Sequence, residues 1–127
     1  MTTPVVDVPV ERGMSLSGLR RAVTTALGSL GDDHLYDVQL VVTELVSNVL
    51  DHTPGSGHLR ILHTAEPCLV VVEVDDASPV APVYGRSRLG ENRGRGIVVV
   101  DRISREWGSR AREEGGKTVF AVVDCTG

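Results

Sequence analysis

The apolar residues of this chain change their spacing once, and that change limits what the chain can fold into. From Leu16 to Val49 they recur mostly at three- and four-residue steps, whereas from Leu59 onward they gather in short, valine-rich runs. The first spacing lays a stripe along a helix; the second belongs to strands. Leu16, Leu19, Val23, Leu27 and Leu30 form the stripe of a first helix, with Ser15 or Ser17 as its cap and Gly31 at its end. Leu35, Val38, Val42, Leu45 and Val49 form that of a longer second helix, capped by Asp32 or Asp33 and closed by Pro54 and Gly55. Val5 to Val10, punctuated by Pro4 and Pro9, suits an edge strand. Leu59 to Leu62 and Cys68 to Val74 read as strands, the latter buried on at least one face, so a sheet interior is implied. A short apolar helix from Ile97 to Ile103 precedes a strand near Arg105 to Ser109, a polar hairpin turn at Glu113 to Gly116 and a last strand from Thr118 to Val123.

Residues 76–96 fit neither period. Pro79, Pro82, Gly85, Gly90, Gly94 and Gly96 interrupt them, and Arg86, Arg88, Arg93 and Arg95 add positive charge. A loop this long in a small domain is usually a lid or a binding segment.

With 127 residues the chain suits one compact domain. No apolar run approaches the ~20 residues of a membrane span, and the start lacks the basic-then-apolar order of a secretory signal, so a soluble cytoplasmic protein is expected. Thirteen basic against seventeen acidic residues give a net charge of −4, the wrong sign for coating nucleic acid. Four aromatics, Tyr36, Tyr84, Trp107 and Phe120, leave little for base stacking. Cys68 and Cys125 lie far apart, with no CxxC spacing and no nearby histidine cluster. Neither a zinc site nor a disulfide scaffold is therefore indicated, and both are expected as small apolar residues in or near strands.

Three places carry candidate chemistry. Glu44 and Asn48, four residues apart on the second helix, project about 40° apart from one face, with Asp37 and Asp51 close to it. Such spacing by itself also describes a solvated polar face. In VEVDDASP, residues 72–79, carboxylates stand where a buried strand runs out into the long loop, a usual place for ligand contacts and equally for an ordinary turn. Arg93, Gly94, Arg95 and Gly96 precede the short helix, whose first free N–H groups and dipole attract anions such as phosphate.

Taken in order, ELVSNVLDH at 44–52, VEVDDASP at 72–79, RGRGIVVVDRISREWG at 93–108 and GKTVFAVV at 116–123 resemble the GHKL (Bergerat-type) ATP-binding domain. More narrowly, they resemble the small anti-sigma-factor serine/threonine kinases and their stand-alone bacterial relatives. The resemblance covers nearly the whole chain. It implies an α/β (α+β) two-layer sandwich in which a mixed, mainly antiparallel sheet is covered on one face by helices, with ATP held beneath a lid at about 77–96. It also implies roles. Glu44 matches the residue that orients or deprotonates the attacking hydroxyl, and Asn48 the Mg²⁺ ligand. Asp76, with Asp75 as second candidate, matches the carboxylate that accepts from the adenine amine. Gly94, Arg95 and Gly96 fall beside the phosphates, and Thr118 helps read adenine. One of Arg86, Arg88, Arg93 or Arg95 would neutralise the γ-phosphate. Ala77, Ser78 and Pro79 stand where many members carry glycines, a departure that bears on lid closure.

The function so implied is an ATP-binding regulator that binds a sigma factor, or an anti-anti-sigma protein of the STAS type, and phosphorylates the antagonist on serine or threonine. A nucleotide-binding interaction module that transfers no phosphate is the alternative, and a degenerate relative without nucleotide a third; Glu44 and Asn48 weigh against the last. No phosphoacceptor helix, sensor domain or membrane segment is read, so a sensor histidine kinase, gyrase or chaperone is not expected. The family dimerises through its sheet and N-terminal region, which makes Val5 to Val10 an edge for a homodimer, limited by its prolines.

Overall fold

The computed structural model describes residues 3–52, 57–77 and 98–126. In chain order these form strand β1 (Val6–Val10), helices α1 (Leu16–Ala26) and α2 (Asp32–His52), and strands β2 (Gly57–Ala65) and β3 (Cys68–Asp76). A short helix, α3, follows at 98–103. Strands β4 (Glu106–Ala111) and β5 (Lys117–Asp124) complete the fold. The expected lid, with Arg86, Arg88, Arg93, Gly94, Arg95 and Gly96, lies outside the described residues apart from Ala77, as do Pro54 and Gly55.

The helices start and stop by local chemistry. Ser15 caps α1, its hydroxyl accepting from the Gly18 N–H at 3.0 Å. Ser17, the other candidate, lies inside the helix. The helix ends at Ala26 rather than running to Gly31, because the Leu27 N–H closes the last turn on Val23 O and the chain then turns through Gly28. Leu30 still packs on the core from that turn. In α2 the first bond runs from the Leu35 N–H to Gly31 O, so Gly31 occupies the cap position. Asp32 and Asp33 sit in the first turn, where the helix dipole favours them. Gln39 ties the helices together, donating to Thr24 Oγ1 at 2.7 Å and to Arg20 O at 3.3 Å.

The sheet has the order β1-β2-β3-β5-β4. Where a mixed sheet was implied, every described pairing is antiparallel. β3 is central, and β1 is an edge strand as its prolines suggest. Val70, Val72 and Val74 of β3, Leu59 and Ile61 of β2, and Val119, Ala121 and Val123 of β5 are buried with Val38, Val41, Val42, Leu45, Val46 and Val49 of α2. At roughly 1.5–3 kcal/mol for each fully buried aliphatic side chain, this face is the main source of cohesion. β2 is longer than the run 59–62 because its alternating Leu59 and Ile61 continue into polar residues that still complete the ladder to β3. Val100 anchors α3 in the core, and Trp107 Nε1 of β4 donates to Asp101 Oδ1 at 2.7 Å.

The cysteine expectation is corrected here. Cys68 and Cys125 do lie beside strands, but they are joined as a disulfide. The β3–β5 register pairs Leu69 with Asp124, which brings the two cysteines opposite each other with Cα atoms 5.0 Å apart. Their separation of 57 residues conceals a pairing that only the ladder creates.

Candidate functional site

Alternation along β3 sorts its carboxylates between two faces. Val72 and Val74 point to the helices, so Asp76 points the same way, whereas Glu73 and Asp75 point to the uncovered face. Nothing else separates these adjacent residues so sharply.

On the uncovered face Asp75 is fully occupied. Arg60 grips it in a fork, Nη1 to Oδ2 and Nη2 to Oδ1, both at 2.8 Å, while its Nε donates to Glu73 Oε1 at 3.1 Å. Thr118 Oγ1 donates to Asp75 Oδ1 at 2.7 Å. Arg110 adds a bond to Glu73 Oε2 at 2.8 Å and lies over the Phe120 ring. The Arg60 fork above all, then the Thr118 hydroxyl, hold the Asp75 carboxyl down at about 2, against the opposing cost of its burial. In turn Asp75 pushes the Arg60 guanidinium upward.

Asp76 is 5% exposed and accepts from the Lys117 ammonium at 3.0 Å, with Lys117 itself buried. Thr118, expected to help read adenine, donates its hydroxyl to Asp75, since register pairs Asp75 with Thr118 and Asp76 with Lys117. The structure therefore does not bring Thr118 and Asp76 together through their side chains.

Two glycines fix the end of β3. A Cβ on Gly57 would collide with the Asp75 carbonyl oxygen, and one on Gly116, where φ is +80°, with that of Asp76. The neighbouring strand starts thus press directly on the Asp75–Asp76 backbone. The same Gly57 Cβ would meet Val49 Cγ1 at 3.3 Å. Val49 follows Asn48, so the last turns of α2 and the acidic end of β3 converge at Gly57.

Glu44 and Asn48 are partly exposed on α2, at the flank of the face that carries Val41 and Leu45. Partial burial, and secondarily the charge of Asp51, raise the Glu44 carboxyl above its ordinary value. That is the direction a general base requires. The backbone of His52 completes α2.

Arg60 and Gly57 carry no motif in the sequence, and Gly116 and Lys117 lie in the 116–123 motif with no site role of their own. Arg60 and Lys117 act across strands, 15 and 41 residues from their partners. The alternation of Val72, Val74 and Asp76 was the one signal that could have placed Asp76 on the helix side.

The residues present fit a nucleotide with its magnesium ion. Asp76 offers a buried acceptor for an exocyclic amine, Asn48 a neutral oxygen for a hard cation, and Glu44 a carboxylate of raised basicity, all on the helix-covered side or its flank. The family model described as histidine kinase-like ATPase domain matches residues 11–123. No curated protein matches the chain.

Proposed function

The chain belongs to the histidine kinase-like ATPase domain family, a kinase-like, ATP-binding family, and on that footing we propose that it is an anti-sigma-factor-like regulator that phosphorylates a protein antagonist on serine or threonine. The observation that supports this reading is that Gly57 packs against both Val49, the residue after Asn48 on α2, and the Asp75 backbone, the residue before the buried, helix-facing Asp76. Its partners would be a sigma factor or a STAS-type antagonist, with the chain acting as a homodimer in the cytoplasm. Among the described residues no helix is long and apolar enough to cross a membrane.

In this reading ATP would supply the γ-phosphoryl group, the new bond to the serine or threonine oxygen forming as the bond to the β–γ bridging oxygen breaks and ADP leaves. Asp76, oriented by its bond from Lys117, would accept from the adenine amine. Asn48 would hold Mg²⁺ through its amide oxygen. Glu44 accepts the proton of the attacking hydroxyl, its raised basicity matching that task. Asp75, tied to Arg60 and Thr118 on the opposite face, sets the strand position rather than touching the nucleotide. The phosphate contacts assigned to Gly94, Arg95 and Gly96 remain part of the proposal, and Thr118 contributes through Asp75.

Calorimetry with Mg-ATP, followed by γ-phosphate transfer to proteins that bind the chain when ATP is present, tests this. Asn48→Ala should remove most of the magnesium dependence of binding, and Asp76→Ala should weaken binding by about 1–3 kcal/mol. Glu44→Gln should spare binding and lower transfer about 10²-fold or more. Wild-type transfer should rise with pH through a Glu44 pKa above the ordinary glutamate value. Binding without transfer to any captured partner would replace the kinase by a nucleotide-dependent interaction module.

A further inference from the structure

We propose that His63, Cys68 and Cys125 form a Zn²⁺ site when the cysteine pair is reduced. His63 lies on β2, Cys68 opens β3 and Cys125 follows β5, so three adjacent strands deliver one ligand each. His63 Nε2 stands 3.6 Å from Cys68 Sγ, and the three potential ligand atoms all lie within 4.8 Å of one another. A tetrahedral zinc with Zn–S near 2.3 Å and Zn–N near 2.0–2.1 Å spaces its ligand atoms roughly 3.5–3.8 Å apart. The imidazole is therefore already at ligand spacing from one sulfur. The two sulfurs must separate, which side-chain rotation allows with Cα atoms 5.0 Å apart.

The scaffold is stiff at this point. The Cys125 N–H donates to Cys68 O at 3.0 Å, and His63 faces Val70 in the ladder. Cys125 is 8% exposed, while Cys68 and His63 are half-buried, so the ligands are shielded yet reachable. Charge also balances. Two thiolates and a neutral imidazole around Zn²⁺ sum to zero, which suits a site at the margin of an apolar core.

The chemistry proceeds in two steps. A dithiol reductant gives two electrons and two protons to the disulfide; the Cys68–Cys125 bond breaks, both cysteines become thiols, and the reductant becomes a disulfide. Zn²⁺ then binds, the two thiols release their protons to solvent, His63 Nε2 donates its lone pair, and a water molecule takes the fourth position. A reducing compartment favours the dithiol, an oxidising one the closed pair.

The test compares the wild-type chain in its two redox states, anaerobically, by Zn²⁺ competition against a chromophoric chelator and by Co²⁺ absorption. The reduced chain should take one Zn²⁺ and give thiolate-to-cobalt charge-transfer bands with tetrahedral d–d intensity, while the oxidised chain at the same concentration should not. His63→Ala should weaken the reduced chain's affinity at least tenfold. Equal uptake by both redox states, or His63→Ala binding as tightly as the parent, would overturn the site. If reduction alone unfolds the chain, far-UV circular dichroism decides: Zn²⁺ restoring the folded spectrum supports the site, and no recovery rejects it. Neither nucleotide nor phosphate transfer enters these measurements, so their outcome is independent of the kinase reading.

Discussion

Asp75 and Asp76 show how much one step along a strand decides. Both are buried carboxylates next to each other, yet one is locked into an arginine fork on the open face and the other faces the helices beside a lysine. The Asp75 contribution should show itself under acid. The folded-state pKa of Asp75 is depressed to about 2 from 3.8, so its stabilisation is complete above about pH 4 and is lost as pH falls towards 2. The full effect is roughly 2 kcal/mol. Denaturant unfolding between pH 2 and 6 should show Asp75→Asn with a shallower acid loss than the wild type over that window. Identical pH slopes would mean that the Arg60 fork does not stabilise the folded state.

At the scale of elements, the hairpin joining β4 to β5 couples a turn to the site. Arg112 and Gly116 close it through an N–H···O bond of 3.1 Å, and Gly115 and Gly116 both adopt positive φ, +103° and +80°. Their surroundings differ. A Cβ on Gly115 meets nothing within 4 Å, whereas one on Gly116 runs into the Asp76 carbonyl and Ala77. Gly115→Ala should thus cost only the left-handed backbone penalty, about 1–2 kcal/mol, with Mg-ATP affinity unchanged. Gly116→Ala should cost more and should also weaken Mg-ATP, because the end of β3 must move. Thermal unfolding beside calorimetry on the two variants measures both effects. Equal ATP affinities would uncouple the turn from Asp76.

Across the whole molecule, the Cys68–Cys125 link closes a loop that contains β3, α3, β4 and β5. From its separation of 57 residues, chain entropy alone assigns it roughly 4 kcal/mol, a large share of the 5–15 kcal/mol typical of a domain. Reduction without metal should accordingly lower the thermal midpoint by roughly 10–20 °C, and an unchanged midpoint would show that the antiparallel ladder makes the link redundant. The same long-range logic divides what was legible in the sequence from what was not. Helix stripes such as Val38, Val42, Leu45 and Val49, the capping Ser15 and the valine run of β3 express periods and caps set by neighbouring residues, so the sequence alone determined the elements and the two-layer class. The ordered motifs pointed to the family for the same reason. Strand register is different, because it depends on which distant backbones pair and a shift of one residue exchanges the faces. Only the tertiary structure therefore decided that Cys125 meets Cys68, that Thr118 serves Asp75, and that Lys117 joins Asp76 on the helix side.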